Sequence, residues 1–229
     1  MTLNILSWNI WWDGYFDEVS RFLNECDADI IGLQEVVPED KTRDVIGFLT
    51  GLGYQHALSP LLKISDGRMI GNAVFSKHPI GESRNYILSE NNRRTAVRAD
   101  IKIGDRLLHV VSTHLFHPHF RQPSPEQEMQ AENLIKALPS ERTIVIGDFN
   151  ATPDSEAVRK MRAVLADTDP ASAPTWSVYP EGCKTCDPQG VNTRFDYIFV
   201  SKDLTATNFK VHASKGSDHL PISTTIEIP

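Results

Sequence analysis

The chain contains little cysteine and no long apolar segment. Its 229 residues include three cysteines, which are too few for the disulfide framework of a small secreted module. No apolar run approaches the roughly 18–20 residues that a membrane-spanning helix requires. The first residues also lack the basic-then-apolar pattern of a secretory leader. We therefore expect a cytoplasmic protein with no membrane span.

Positive charge is also scarce. The sequence has 23 Lys and Arg residues against 30 Asp and Glu residues, which gives a formal net charge of -7. This balance argues against a broad basic surface for gripping nucleic acid. A local positive cleft is still compatible with it, and Arg93, Arg94 and Arg98 are the candidates to form one.

Internal repeats, low-complexity tracts and long linkers are missing as well. With 40% hydrophobic and 23% charged residues, the chain can bury a sizeable core. We expect a single domain over residues 1–229 that acts as a monomer. Neither a GxSxG nucleophile elbow nor a phosphate-cradling P-loop is present, so no serine-hydrolase or P-loop chemistry is indicated.

Hydrophobic periodicity predicts an α/β protein with many strands. Apolar residues at helical spacing predict a helix over 16–26. Glycine stop signals bound a helix over 40–52, and a cap at Ser124 with a first-turn proline begins one over 124–138. A further helix is predicted over 155–165. Alternating or continuous apolar runs predict strands over 2–9, 28–35, 69–76, 80–88, 94–103, 105–115, 142–148, 193–200, 204–211 and 222–228. This number of strands is larger than one simple parallel sheet would hold.

Polar residues stand at the ends of several predicted strands: Asn9, Glu35, His114, Asp148 and Asn150. Polar residues at the carboxyl ends of buried strands tend to assemble a crevice. Together with Asp218, the carboxylates and amides form an oxygen-only set that suits Mg²⁺. Each residue alone is more simply a turn residue or a helix cap, so the prediction depends on the combination.

The segment GSDHLP, residues 216–221, raises a related question. A surface turn explains its Gly, Ser, Asp and Pro residues by backbone preference alone. The turn does not explain why His219, a titratable ring, follows Asp218 directly.

Seven blocks of sequence occur in the order found in one protein superfamily: LSWNIW, IIGLQEV, GNAVFSKHPI, STHL, VIGDFNATP, RFDYIFVS and SDHLPI. In these blocks the chain resembles the endonuclease/exonuclease/phosphatase superfamily, the deoxyribonuclease-like metal-dependent phosphoesterases. The resemblance implies a four-layer α/β sandwich, with two packed mixed β-sheets flanked by helices. It also implies hydrolysis of a phosphate ester with Mg²⁺ or Mn²⁺.

The resemblance also implies roles for individual residues. The metal neighbourhood would contain Glu35, Asn9, Asp218 and Asp148. The catalytic group would contain His219, Asp196, His114, Asp148 and Asn150, with Asp196 orienting His219 as general base or phosphate-binding imidazolium. The phosphate would be bound by Arg94, Asn72, Asn150 and His114.

Three other features have competing interpretations. His114, His117 and His119 lie close in sequence, but only His114 falls in a superfamily block, so a zinc site is disfavoured. The CKTC segment is a lone CxxC, which we interpret as two loop thiols without function or as a local disulfide. Trp11 and Trp12 follow Asn9, where either ring could line the mouth of a cleft or pack in the core.

The leading hypothesis is a metal-dependent phosphodiesterase with nuclease-like chemistry. A phosphomonoesterase, or a phospholipid or sugar-phosphate hydrolase of the same fold, is the alternative within this class. A catalytically inactive binding module and a zinc or redox protein are the alternatives from other classes. The sequence does not identify the leaving group, because specificity in such folds resides in loops.

Overall fold

The structure is a computed structural model, and it describes residues 1–90, 94–118 and 124–229. Arg93 and His119, both named above, lie outside these residues. The helices are α1 (Phe16–Glu25), α2 (Val45–Gly51), α3 (Pro125–Ala137) and α4 (Glu156–Val164). The strands are β1 (Thr2–Asn9), β2 (Ile30–Val36), β3 (Gln55–Leu58), β4 (Leu62–Lys63), β5 (Met69–Ser76), β6 (Ile80–Ser89), β7 (Arg94–Ile103), β8 (Arg106–His114), β9 (Thr143–Asp148), β10 (Ala166–Asp167), β11 (Asp196–Val200), β12 (Thr205–Val211) and β13 (Ile222–Glu227).

The first sheet has the strand order β12-β13-β1-β2-β5-β3, and β4 pairs with β5. Strands β1 and β2 run parallel, with Asn9 opposite Gln34, so both strands end at the same edge. Strand β13 runs antiparallel to β1, with Ser7 opposite Ile222. The loop that precedes β13 therefore reaches the edge where β1 and β2 end.

The second sheet has the order β10-β11-β9-β8-β7-β6. Its central strands β8 and β9 are parallel, and His114 lies opposite Asp148 at their ends. Strand β11 is antiparallel to β9, which places Asp196 opposite Asp148. This sheet also collects polar residues at the carboxyl ends of its parallel pair.

Three apolar layers hold the elements together. The inner faces of the two sheets pack against each other through residues such as Ile5, Val110 and Ile146. Helices α1 and α2 cover the outer face of the first sheet, while α3 and α4 cover the outer face of the second. The order helix, sheet, sheet, helix confirms the predicted four-layer sandwich.

The predicted helix over 40–52 is wrong in its first part. Lys41–Arg43 form a 3₁₀ turn, and α2 begins only at Val45. The Asp44 carboxylate accepts a 2.7 Å hydrogen bond from the Gly47 amide, so Asp44 caps α2 instead of continuing a longer helix.

The remaining differences concern strand ends and short strands. The predicted strand over 193–200 begins at Asp196, because Thr193 pairs instead with Trp176 in an isolated bridge. Strands β3, β4 and β10 were not predicted, since segments of two to four residues carry little periodic signal. No helix within the described ranges is long and apolar enough to cross a bilayer.

Candidate active site

Both sheets deliver polar side chains to one edge of the sandwich. The first sheet contributes the ends of β1 and β2 and the loop before β13, and the second contributes the ends of β8 and β9 and the start of β11. A cavity of about 300 Å³ at this edge is lined by seven of the predicted residues: Glu35, Arg94, His114, Asp148, Asn150, Asp218 and His219. Asn9 and Asp196 lie buried behind them.

Asn9 connects the two sheets at the base of the cavity. Its amide Nδ2 donates to Glu35 Oε1 and to Asp148 Oδ2, both at 3.0 Å. Its Oδ1 accepts a 3.0 Å hydrogen bond from the Trp11 amide. Asn9 therefore fixes the separation of two carboxylates that come from different sheets.

Glu35 and Asn150 have strained backbones. Their φ angles are 60° and 48°, in the left-handed region that favours glycine. At Glu35 the pairing of β2 with β5 is interrupted between Leu33 and Val36, so the backbone turns the carboxylate toward the cavity. Strain of this kind costs about 1–3 kcal/mol per residue and is common at functional sites.

His219 and Asp196 form a buried pair. The His219 Nδ1 atom lies 2.8 Å from Asp196 Oδ2, and its Nε2 atom lies 3.5 Å from Asp148 Oδ2. Burial alone would lower the pKa of His219, but the charges of Asp196, Asp148 and Asp218 outweigh it and raise that pKa well above its usual range. One ring nitrogen is thus anchored on Asp196 while the other faces the cavity.

The carboxylates of the site are crowded and poorly hydrated. Burial raises the pKa of Glu35 to about 7, and the nearby charge of Asp218 adds to the shift. Burial likewise raises the pKa of Asp148 to about 7, although the charge of His219 opposes the shift. Ionisation of these two carboxyl groups is therefore unfavourable in the site unless a positive charge lies close to them.

His114 is held as a neutral ring. Burial, with the positive charge of Arg94, lowers its pKa well below the usual value. The Asn150 amide Nδ2 lies 2.9 Å from His114 Nε2 and donates to it, which leaves the proton of the neutral ring on Nδ1. His114 Nδ1 lies 3.9 Å from Glu35 Oε1, on the side of the carboxylates.

Of the three arginines proposed for a positive cleft, Arg94 lines this cavity, and Arg93 lies outside the described residues. Arg94 is half-buried, burial lowers its pKa, and its Nε atom has no hydrogen-bond partner in the described part of the chain. Arg98 instead pairs with Asp100 at 2.9 Å, away from the cavity. Among the described arginines that were predicted, Arg94 is therefore the one placed to meet an anion in this cavity.

Asn72 and Asp218 lie at the margins of the site. The Asn72 side chain donates to the Thr95 carbonyl at 2.9 Å, and the residue lines a small cavity with Glu35, Arg94 and His114. Asp218 Oδ2 accepts a 3.0 Å hydrogen bond from Trp176 Nε1. Both residues are therefore close to the predicted chemistry and also tied to neighbouring strands or loops.

A divalent cation fits this set of donors. Glu35, Asp148, Asp218 and Asn9 offer carboxylate and amide oxygens, the donors that Mg²⁺ and Mn²⁺ prefer. Burial raises the pKa values of Glu35 and Asp148, and a cation beside their ionised forms would offset this cost. In addition, ligand atoms of Asp148, Asp196 and His219 lie within 4.8 Å of one another.

Several residues around the cavity were not assigned to it from the sequence, among them Trp176, His117 and Cys183. Trp176 lies against His219, with ring centroids 6.2 Å apart. His117 Nδ1 lies 2.5 Å from Asn150 Oδ1, and Cys183 joins Cys186 in a disulfide, which was one of the two interpretations of CKTC. His117 and Cys183 belong to sequence features described above, the group of histidines and the CKTC segment. Trp176 belongs to no recognisable sequence motif, because it lies 43 residues before His219 in an irregular segment.

The chain matches solved structures along its full length. It is similar to an endonuclease/exonuclease/phosphatase from Bacteroides vulgatus at 19% identity and a TM-score of 0.78, with 100% of both chains covered. It is similar to one from Beutenbergia cavernae at 18% identity and a TM-score of 0.81, covering 99% of this chain and 72% of the other. A mannosyl-6-phosphatase from Bacteroides thetaiotaomicron matches at 18% identity and a TM-score of 0.76, covering 99% and 100%. At these identities the likeness shows the fold.

No curated protein sequence matches the chain significantly. The model of the endonuclease/exonuclease/phosphatase family, in contrast, matches residues 6–219, a span that begins in β1 and ends at His219. Members of this family are hydrolytic phosphoesterases that generally depend on a divalent metal. The chain belongs to the endonuclease/exonuclease/phosphatase family.

Proposed function

We propose that the protein is a Mg²⁺- or Mn²⁺-dependent phosphodiesterase with nuclease-like chemistry, in which water attacks phosphorus in line with the leaving oxygen. One observation carries the proposal. Buried carboxylates whose ionisation is unfavourable meet an anchored imidazole at the base of a cavity that also contains the Arg94 guanidinium.

In this proposal Glu35, Asp148 and Asp218 hold the cation, and Asn9 keeps Glu35 and Asp148 at the required separation. A bound divalent cation supplies Lewis-acid stabilisation of the charge that develops on the phosphate oxygens. A cation bound beside the buried carboxylates offsets the cost that burial adds to their ionisation, so the site itself favours binding.

His219 either takes a proton from the attacking water as general base or stays protonated and binds the phosphate as an imidazolium. Its Nδ1 stays on Asp196, so the ring keeps one orientation and Nε2 is the atom that meets water or phosphate. A general base and a phosphate-binding imidazolium both use this atom. Asp196 acts through His219 as its orienting carboxylate.

The phosphate is bound by Arg94 and by the Nδ1–H group of His114. Asn150 orients His114 by donating to its Nε2, and Asn72 supports the same wall of the cavity. Fixed donors around the developing charge lower the barrier without reorganising during the reaction.

A phosphomonoesterase, or a phospholipid or sugar-phosphate hydrolase, would use the same residues and differ only in the leaving group. An inactive binding module is disfavoured because the proposed ligands and His219 are all present and lie around one cavity. We also propose that residues 1–229 form one domain that works as a monomer, since one chain contributes the whole proposed site, and that it works in the cytoplasm.

The test is turnover of bis-p-nitrophenyl phosphate and p-nitrophenyl phosphate by metal-stripped protein. We expect Mg²⁺ or Mn²⁺ to restore activity and excess chelator to abolish it. A higher kcat/KM for the diester supports the phosphodiesterase, and the opposite order supports the monoesterase. Full activity in chelator, or activation by Zn²⁺ alone, would contradict the assignment.

A further inference from the structure

The cavity has an apolar aromatic wall that the proposed chemistry does not use. Trp12 and Phe116 both line it, and both side chains are half-buried. Neither ring contacts another aromatic ring within residues 1–90, 94–118 and 124–229. Large apolar rings that face a cavity gain free energy when a ligand covers them, at about 25 cal/mol per Å² of buried apolar surface.

Three aliphatic side chains line the same cavity: Leu62 and Ile64, in and just after β4, and Ile70 of β5. The polar lining of the cavity includes Glu35, Arg94 and His219. A ligand whose phosphate meets these polar groups can therefore place an uncharged body against the apolar side chains.

Trp11 also lines the cavity, but its ring is already packed against another aromatic ring. Its ring stacks on Tyr179 with centroids 5.9 Å apart and planes inclined by 30°. A Cβ atom on Gly182 would lie 3.4 Å from Trp11 Cζ2, so the 177–192 loop also packs on Trp11. Trp11 supports the wall of the cavity, and Trp12 presents its ring to the ligand.

Trp12 is held in place by its backbone. Its amide donates to Glu35 Oε2 at 3.1 Å, and its carbonyl accepts from Arg43 and, at 3.1 Å, from Arg68. Arg68 is itself fixed on Asp13 at 2.7 Å. Because the segment is fixed before a ligand arrives, little ordering entropy is lost on binding.

Resting on the proposed function, we propose that the substrate is a small phosphate ester whose leaving group carries one flat aromatic ring system, such as a nucleoside, which packs on Trp12 and Phe116. The cavity of about 300 Å³ has room for one such group with its phosphate. Base–aromatic stacking contributes about 1–3 kcal/mol, and about 1.4 kcal/mol or more of it corresponds to a discrimination of about tenfold or more over a substrate without the ring.

The test uses probes with the same leaving oxygen: adenosine 5′-monophosphate and ribose 5-phosphate, and the methyl diester of each. We expect kcat/KM to be about tenfold or more higher for the adenosine probes. Trp12→Ala and Phe116→Ala should raise KM for the adenosine probes only, and Trp12→Phe should retain most of the preference. Tyr15→Ala is the matched control, because that ring is 56% exposed and does not line the cavity.

Equal kcat/KM for adenosine and ribose probes, or an equal loss for both in Trp12→Ala, would overturn the aromatic-substrate proposal and leave the proposed hydrolysis intact. If no phosphate ester is turned over with Mg²⁺ or Mn²⁺, the proposed function fails instead. Binding of the same probes, followed by tryptophan fluorescence, then still decides whether the ring is recognised.

A second inference concerns the disulfide at the edge of the same cavity. Cys186 Sγ lies 3.1 Å from His117 Nε2, His117 Nδ1 contacts Asn150 Oδ1 at 2.5 Å, and Asn150 donates to His114. A continuous series of contacts thus runs from the disulfide to the proposed phosphate site. Cys183 is half-buried and lines the cavity, so a reductant can reach its sulfur.

We propose that this disulfide is a redox switch of the enzyme, since disulfides in the reducing cytoplasm are usually transient and redox-sensing. A dithiol reductant supplies two electrons and two protons, the Cys183–Cys186 bond breaks, two thiols form, and the reductant becomes a disulfide. Reduction frees the loop that seats His117, so Asn150 and His114 lose their fixed orientation. A misplaced phosphate-binding group lowers the rate, and we expect kcat to fall about tenfold.

The experiment compares kcat for bis-p-nitrophenyl phosphate before and after dithiothreitol treatment. Cys183→Ser/Cys186→Ser should reproduce the low rate and ignore dithiothreitol, whereas Cys26→Ser should respond like the wild type. His117→Ala should be slow and insensitive to reductant. An unchanged rate in reduced wild type overturns the switch, and a further fall in reduced His117→Ala overturns the route through His117.

Discussion

Two buried clusters of charged residues lie close together in this protein and differ in how their charges are balanced. In the first, Arg194 donates two hydrogen bonds to the Asp167 carboxylate, from Nη1 at 3.0 Å and from Nη2 at 2.7 Å. Arg162 donates to the same carboxylate at 2.7 Å. The Arg194 guanidinium also lies over the Tyr197 ring at 4.1 Å. Every charge in this cluster has a close counterpart.

The second cluster is the candidate active site. One of its residues, Asp196, follows Arg194 by two positions in the chain. Asp196 Oδ1 is buried without a hydrogen-bond partner among the described residues, and so is Arg94 Nε. Burial raises the pKa values of Glu35 and Asp148 to about 7. A structural cluster is complete by itself, whereas this site leaves charge to be balanced by a cation and a phosphate.

The largest expected effect belongs to His219. His219→Ala should lower kcat by about 10²–10⁴, because a positioned acid or base is lost, while circular dichroism and metal affinity remain close to those of the wild type. Asp196→Asn should act through the same ring, so the double mutant should be scarcely slower than His219→Ala. Loss of melting temperature with a normal rate per folded molecule would show instead a purely structural pair.

A substitution in the cluster of Arg194, Arg162 and Asp167 should lower stability and leave turnover unchanged. Asp167→Asn leaves the buried Arg194 charge without its carboxylate and should lower the free energy of unfolding by about 3 kcal/mol. Turnover per folded molecule should be retained. Urea denaturation and a turnover assay measure the two effects.

Glu156→Gln is the matched control for that variant, because its ion pair with Arg159 is largely exposed and should contribute less than about 1 kcal/mol. If Asp167→Asn were as stable as Glu156→Gln, the distinction between the two clusters would not hold.

Glu35→Gln tests the cost of ionising this buried carboxyl group directly. In metal-free protein this substitution removes an uncompensated buried carboxylate, so we expect the free energy of unfolding to rise by about 1 kcal/mol at pH 8. The same variant should need more Mg²⁺ to recover activity. The exposed Glu39→Gln is the control, and destabilisation by Glu35→Gln in chelator would contradict the proposed cost of ionisation.

The smallest effect concerns His212, which lies outside both clusters. Burial, with the charge of Lys210, lowers its pKa from the ordinary 6.5, and its Nε2 lies 2.7 Å from Ser223 Oγ. The unfolded chain therefore binds more protons than the folded chain just below pH 6.5, so stability falls as the pH drops through that range. His212→Gln should reduce this acid sensitivity by less than about 1 kcal/mol without changing turnover. Identical pH profiles of stability would contradict the prediction.

The sequence by itself determined the layers of the fold and the candidate donors. Apolar periodicity specifies β1 and α1, because burial of one face depends on residues that are close in the chain. The ends of β1, β2 and β9 identified Asn9, Glu35 and Asp148 as a set, since polar residues at the carboxyl ends of buried strands tend to assemble a crevice. The helix predicted over 40–52 shows where such local prediction fails, because the Asp44 side chain caps α2 and the helix begins only at Val45.

Only the tertiary structure decided which residues meet across the two sheets. Asn9 touches Asp148 from 139 residues away, and Trp8 Nε1 binds the His219 carbonyl from 211 residues away. No local pattern encodes such contacts, and the same is true of Trp12 facing a cavity while Trp11 packs on Tyr179. Chemistry-bearing residue types are visible in the sequence, but their burial, strain and unbalanced charge arise from long-range packing.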